Sequence, residues 1–487
     1  MKKSISTRLT AAVGALALGI LGAVAITAPA SATEPVGPGP NLKPGDKGTI
    51  TIHKHEQPTV PGDPASGEDQ GILPNPIQGV VFSVTPVTDV DLLTNTGWDE
   101  AADLSEGLAA ASDPAAYITA NLTLGAAQNL AATDAQGVAK SNQLPIGLYL
   151  VREVSGPASI VSKAAPFLVT VPLPPLTAGG DWNYNIHVYP KNAVVKTPEK
   201  AVDQSKAFAL GQTVTWTVTA TIPSFESGSD LKSYKVTDNL DSRLSYTAPA
   251  RVFVNNVAVP ANAVTISATN PVTVTFTDPA GLDLLRANGG KTVKVEIDTV
   301  VTGTGAILNT AVVNVNGSDF TTNPAKTTWV PVKVTKVDAD DSKIALAGAV
   351  FAVYTQKEGG TALPFPNNAS GQFTTDASGA IAIPGLKADG TQQYWLQEVS
   401  APNGYQALTE RVPLAVDANG NAIALPGADA GTVVTYERTV KNTRIPVWEL
   451  PLTGGDGALW FGVGGAALVA ITVGAAVLIS RRAKANA

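Results

Sequence analysis

Two sets of side chains in this chain combine a lysine, a carboxyl and an asparagine in a way that can make a covalent bond. Lys336, Glu398 and Asn442 form one set; Lys200, Asp238 and Asn309 form the other, with Asn323 as the rival asparagine. In each, the lysine lies on the opening strand of a β-rich segment, the acid on a middle strand and the asparagine near the last. Burial in an apolar core disfavours both charges, so the amine moves towards its neutral, nucleophilic form and the carboxyl towards its protonated form. The amine can then attack the carboxamide while the acid donates to the carboxamide oxygen, and ammonia leaves. Proximity in a dry site supplies much of the rate. A single such trio could equally be a solvated lysine, an acid binding a turn and an asparagine ending a strand, so the elements that carry it decide the matter.

Those elements are strands. Short β-branched runs recur at Thr49–His53, Val80–Val84, Tyr149–Val154, Phe167–Val171, Thr213–Thr221, Val272–Thr277, Val293–Val301, Val332–Val337 and Val350–Tyr354, bounded by Gly, Pro and Asn-Gly turns. Strands at this density predict an all-β chain of sandwiches. The exception is Asp89–Leu130, rich in Ala, Leu and Asp, where Asp99–Ala110 is expected to form an amphipathic helix. Comparison of the chain's two ends uncovers a repeat. Ile50–Lys54 parallels Val332–Lys336, Gln78–Phe82 parallels Ala347–Phe351, Thr133–Gly137 parallels Thr375–Gly379, Tyr149–Pro157 parallels Tyr394–Pro402, and each copy closes on Lys-Asn, at Lys191-Asn192 and Lys441-Asn442. The middle of the chain follows another template. We therefore expect three tandem domains, 33–193, 194–330 and 331–446, stiffly joined at Pro198 and Pro331, between export segments at 1–32 and 447–487.

The chain has 487 residues, no cysteine, 15% charged residues and a net charge of −7. Disulfides, thiolate metal sites and a cysteine nucleophile are excluded, and the acidic balance without a basic cluster argues against nucleic acid. Lys2, Lys3 and Arg8 precede the apolar run Leu9–Ile26 and Ala30-Ser31-Ala32, the pattern of a secretory signal cut after Ala32. At the other end Ala458–Ser480 is uncharged and long enough to cross about 30 Å of hydrocarbon as a helix, with Arg481, Arg482 and Lys484 behind it.

Leu450-Pro451-Leu452-Thr453-Gly454, followed by that helix and basic tail, resembles the cell-wall sorting signal of Gram-positive surface proteins. Trp182-x-x-x-Ile186-x-Val188-Tyr189-Pro190-Lys191-Asn192 resembles a pilin motif, with Ile186 for the usual Val. Tyr394-x-Leu396-x-Glu398-x-x-Ala401-Pro402-x-Gly404-Tyr405 resembles an E-box, with Val399 where Thr is usual. Together these signatures resemble the backbone (shaft) pilins of sortase-assembled Gram-positive fimbriae, Spa/Fim type, over essentially the whole chain.

The resemblance implies tandem immunoglobulin-like (Cna-type) sandwiches with internal Lys–Asn isopeptide bonds, two in number here, promoted by Glu398 and Asp238. It implies that a pilus-specific class C sortase cleaves between Thr453 and Gly454 and passes the Thr453 carbonyl to Lys191 of another subunit. The first domain has equivalents of the bond-forming residues at Lys54, Glu153 and Asn192, although many relatives lack a bond there. Implied partners are identical subunits, minor or tip pilins, peptidoglycan and host or bacterial surface receptors. A non-polymerising wall-anchored adhesin would share the sorting signal and the sandwiches but have no use for Lys191.

No cofactor or metal is implied. His53 and His55 would share a strand face, but no His or acidic partner for them is identifiable in the sequence. Asp338–Asp341 and Asp417–Asn421 read as turns rather than calcium loops, because neither has a bidentate Glu at the required distance. Nothing resembles a Ser-His-Asp elbow.

Overall fold

The computed structural model describes residues 41–448 except 61–64, 72, 178–179, 227–230, 430–431 and 433. The signal segment, Leu450–Gly454 and the apolar C-terminal run lie outside the described residues.

Three β-sandwiches follow one another along the chain, as the strand pattern predicts. In the first, Lys47–His53 pairs in parallel with Asn185–Val188 and antiparallel with Val138–Lys140. The facing sheet holds Val81–Val87, Gly147–Ser155 and Phe167–Val171. Gly147–Ser155 opens with a continuous apolar run because both its faces are covered. Tyr149 and Val151 point into the sandwich core beside Ile50, Ile52 and Phe82, while Leu148 and Leu150 point out under the inserted helices.

Helix α1 is Asn95–Ala110, capped by Thr94, whose hydroxyl accepts from the Gly97 amide at 3.1 Å. It begins four residues before the expected start. A second helix, α2 (Pro114–Asn121), was not anticipated, although Asp113 before Pro114 carries the signal: the Asp113 carboxylate accepts from the amides of Ala115 and Ala116.

The middle sandwich closes over Trp216, Trp329 and Tyr234. Thr213–Thr221 alternates strictly between core and surface, and pairs with Glu199–Asp203 on one side and Thr292–Val301 on the other. The third sandwich is entered along one strand, Ala325–Asp338. Its first part pairs with Gly305–Asn309 of the middle sandwich and its second part with Ala380–Lys387 and, in parallel, Tyr436–Asn442.

The joint expected at Pro331 is therefore a β-bulge within a continuous strand, with the register shifting between Val330 and Val332. Proline lacks the N–H that a regular ladder needs and is accommodated at such a shift. The two sandwiches are tied further by the Phe208 carbonyl, which accepts from the Lys387 amide at 2.9 Å and the Tyr394 hydroxyl at 3.0 Å. Ala209 lies in the core of the third sandwich.

Candidate functional site

The sequence repeat has a structural purpose: it fixes the backbone of one lysine in each copy. Lys54 N donates to Gly137 O and Lys336 N to Gly379 O, both at 2.7 Å, while the two lysine carbonyls accept from Ile77 N and Leu346 N at 2.9 Å. Gly137 and Gly379 have φ of +75° and +69°, and a Cβ on either would press into the lysine carbonyl. The Thr and Asp of the same block hold that turn in both copies. The Thr133 and Thr375 hydroxyls each accept from one amide and donate to one carbonyl of the loop that follows the lysine, Val80 N and Ile77 O or Ala349 N and Leu346 O, and the Asp134 and Asp376 carboxylates each accept from two amides of the turn.

From that footing the three side chains of each set meet. In the third sandwich Lys336 Nζ donates to Asn442 Oδ1 and lies 3.2 Å from Glu398 Oε1. Asn442 Nδ2 donates to Glu398 Oε1 and Oε2 at 2.9 and 3.0 Å, and Leu408 N anchors Oε2 at 2.8 Å. In the first sandwich Lys54 Nζ donates to Asn192 Oδ1 at 2.5 Å and lies 3.2 Å from Glu153 Oε2, and Asn192 Nδ2 donates to Glu153 Oε1 at 2.9 Å.

Both lysine side chains are fully buried. The ring of Phe82 or Phe351 sits 5.6 or 5.2 Å from the amine, and neither ring was assigned a role from the sequence although both close a repeat block. Burial lowers the pKa of Lys336 and pushes that of Lys54 down to about 8. In these two sites the carboxyl faces the carboxamide nitrogen and not, as expected from the residue types alone, the oxygen. The acid is placed to protonate the leaving group.

A pH effect follows for the first site. Asn192→Ala removes the electrophile and leaves Lys54 as a buried amine titrating near 8, against its ordinary 10.5. Between those values the unfolded chain holds more protons than the folded one, so stability rises with pH across that window, and the penalty is complete below about pH 8. The urea midpoint of Asn192→Ala is expected to climb from pH 8 to 10.5 relative to Lys54→Met/Asn192→Ala. Parallel pH profiles for the two variants would refute it.

The middle site is built differently. Lys200 Nζ donates to Asp238 Oδ2 at 2.5 Å, and Asn309 Nδ2 reaches the same oxygen at 3.4 Å. Lys200, Asp238 and Asn309 are all buried, with Trp216 beneath the amine. Burial drives the pair towards neutrality, lowering Lys200 and raising Asp238. Among the described residues Asp238 Oδ1 and Asn309 Oδ1 have no hydrogen-bond partner, and a proton on Asp238 would turn one of these acceptors into a donor. Asn323 is not in the site: its carboxamide clamps the Lys200 backbone, accepting from N and donating to O at 2.9 Å.

Lys191 and Asn192 point in opposite directions. Strand Lys191–Val194 pairs with His55–Glu56, and by period-two alternation Asn192 is buried against Lys54 while Lys191 is partly exposed on the other face.

The expectation that His53 lacks a metal-capable partner is corrected. The parallel pairing of Thr51 with His187 sets His187 on the same face as His53, with His53 Nε2 and His187 Nδ1 2.8 Å apart. Asp69 Oδ1 lies 3.6 Å from His187 Nδ1. His55 does not join them, because the chain breaks strand at Lys54 and buries it separately. The two suspected calcium loops are Asx turns: Asp338 Oδ1 accepts from Asp340 and Asp341 amides, and Asp417 Oδ1 from those of Asn419 and Asn421. Asp338 Oδ2 also takes Tyr405 Oη and Arg444 Nε at 2.8 Å, which pins the E-box tyrosine to the strand bearing Lys336.

Residues 45–193 match the family of the Gram-positive pilin subunit D1, N-terminal domain, and residues 330–429 match the SpaA prealbumin-like fold domain. The chain is 30% identical to "Fimbrial subunit type 2" of Actinomyces naeslundii, over 99% of this chain and 98% of that one. It is also 30% identical to "Fimbrial subunit type 1" of Actinomyces viscosus, over 96% of each. The chain belongs to the Gram-positive fimbrial subunit family, as a Spa/Fim-type shaft pilin.

The pilin's fold is that of the full-length major pilin SpaD from Corynebacterium diphtheriae, at TM-score 0.64 and 24% identity over 84% of this chain and 99% of that one. The fimbrial protein FimP from Actinomyces oris covers 84% of this pilin and all of its own chain, at TM-score 0.51 and 25% identity. The pilin is a structural subunit of a cell-surface fimbria, and such subunits assemble into a polymer.

Proposed function

We propose that the pilin is joined head to tail by transpeptidation and that each subunit is locked internally by three Lys–Asn isopeptide bonds. A class C sortase takes the Thr453 carbonyl, releasing Gly454 and the membrane segment, and transfers it to the Lys191 amine of the next subunit. The pilin itself is a sortase substrate rather than an enzyme. The product is a wall-anchored fibre used for adhesion, a contact that does not close on itself and therefore extends. The observation that carries this reading is the alternation at Lys191-Asn192, which leaves one amine facing outward beside a residue locked into the core.

Internal bonding conserves atoms simply. One lysine N–H proton passes to the neighbouring carboxylate, the neutral amine attacks the asparagine Cγ, the acid gives that proton to Nδ2, and the regenerated carboxylate takes the second proton that the attacking nitrogen sheds. Ammonia leaves and an amide remains. The two bonds implied by family resemblance become three in this reading, which is supported by the same three pairings among Lys54, Glu153 and Asn192 as among Lys336, Glu398 and Asn442: lysine to asparagine oxygen, lysine to acid, and asparagine nitrogen to acid.

Mass-spectrometric mapping of proteolysed fibres tests both parts. Branched peptides joining Thr453 to Lys191, Lys54 to Asn192, Lys200 to Asn309 and Lys336 to Asn442 are expected, each internal one lighter by one ammonia. Unmodified peptides at these positions would overturn the corresponding bond.

A further inference from the structure

The contact between His53, His187 and Asp69 serves neither the isopeptide chemistry nor the intersubunit link. We propose that these three residues form a binding site for a divalent transition metal of the zinc type, with water as a fourth ligand. The site would fasten the loop around Asp69 across the strand that leads to Lys191.

Three separate pieces of chain deliver the ligands. His53 ends the first strand; His187 sits in Asn185–Val188, pairing opposite Thr51; Asp69 comes from the loop between them in sequence. That loop is held independently of any metal. Gly67 O accepts from His187 N and Asn183 Nδ2, both at 2.9 Å, and the Tyr189 hydroxyl accepts from Gln70 N at 2.5 Å and donates to Glu68 O at 3.1 Å. The His53 ring is stacked on Tyr189, with centroids 4.6 Å apart, which fixes its plane. The site is thus preorganised.

Its dimensions suit zinc. The three ligand atoms lie within 4.8 Å of one another. Two nitrogens bound to one tetrahedral Zn²⁺ at about 2.0–2.1 Å are about 3.3 Å apart, so the imidazoles need to part by only about 0.5 Å. Two imidazoles and one carboxylate select zinc-like ions over calcium or magnesium, which prefer oxygen alone.

The wild-type pilin supplies a clean assay because it has three histidines and no cysteine. Zn²⁺ added to the ectodomain is expected to shift the imidazole NMR resonances of His53 and His187 at one equivalent and to leave buried His55 in place. Co²⁺ should give the visible absorption of a four-coordinate site, displaced by Zn²⁺. Asp69→Asn and His187→Gln should each weaken binding at least tenfold. Unshifted resonances at millimolar Zn²⁺, or equal affinity in His53→Gln/His187→Gln, would overturn the proposal.

Discussion

Cells producing Lys191→Ala are expected to lose the denaturant-resistant high-mass ladder of the pilin and to retain only monomer, a complete effect rather than a graded one. The amine is the bond-forming group, so no neighbouring contact can substitute for it. Lys191→Arg should fail in the same way: a guanidinium keeps the charge but stays protonated, and it is no nucleophile at neutral pH. The third-sandwich counterpart, Lys441, also precedes a buried asparagine and is also exposed. It lacks the Trp-to-Pro motif that surrounds Lys191, so Lys441→Ala should leave the ladder intact. Immunoblots of wall extracts read all three variants. A ladder surviving Lys191→Ala would refute the acceptor role, and a wild type with no ladder would favour the non-polymerising adhesin.

The features legible in the sequence were those with a short period or a repeated block. Thr213–Thr221 and Val350–Tyr354 begin and end where their alternation and β-branching place them. The repeat blocks hold the very residues that grip each lysine, so the grouping of Lys336, Glu398 and Asn442 could be read from order alone. Asn323 could compete with Asn309 on paper because both follow strands of the same segment. Only the register decides, by sending the Asn323 carboxamide to the Lys200 backbone.

What stayed hidden depended on pairing between distant strands. His53 and His187 are 134 residues apart, and nothing local to either indicates a parallel register that sets them on one face. Pro331 reads in the sequence as a stiff joint between two separate sandwiches, because proline usually interrupts a ladder. Here the ladder changes partners at that point, and the strand runs on from the middle sandwich into the third.

The three internal bonds, alike in chemistry, should differ sharply under load. In the proposed fibre, tension enters a subunit at Lys191 and leaves through Thr453, so residues before Lys191 hang beside the load path. Within the third sandwich, force arrives along Ala325–Asp338 and departs along Tyr436–Asn442, adjacent parallel strands. A bond from Lys336 to Asn442 joins them directly and shields the residues between, a separation of 106 positions. Glu398→Gln keeps the side chain's volume but removes the acid, so the bond should not form. Single-molecule pulling can use Lys191→Cys and a second cysteine placed at Trp448, unique handles in a chain that has none of its own. The Glu398→Gln pilin is expected to lengthen by roughly 350 Å when the third sandwich opens, at about 3.3–3.6 Å per released residue. The parent pilin should show no such step, and Asn192→Ala, which removes only a bond to Lys54 beside the load path, should pull like the parent. The same Glu398→Gln change should cost about 4–5 kcal/mol by loop-closure entropy and lower the melting temperature of that sandwich by roughly 20–30 °C. An unchanged extension trace would mean that hydrogen bonds and core packing, without a covalent lock, carry the load between Lys336 and Asn442.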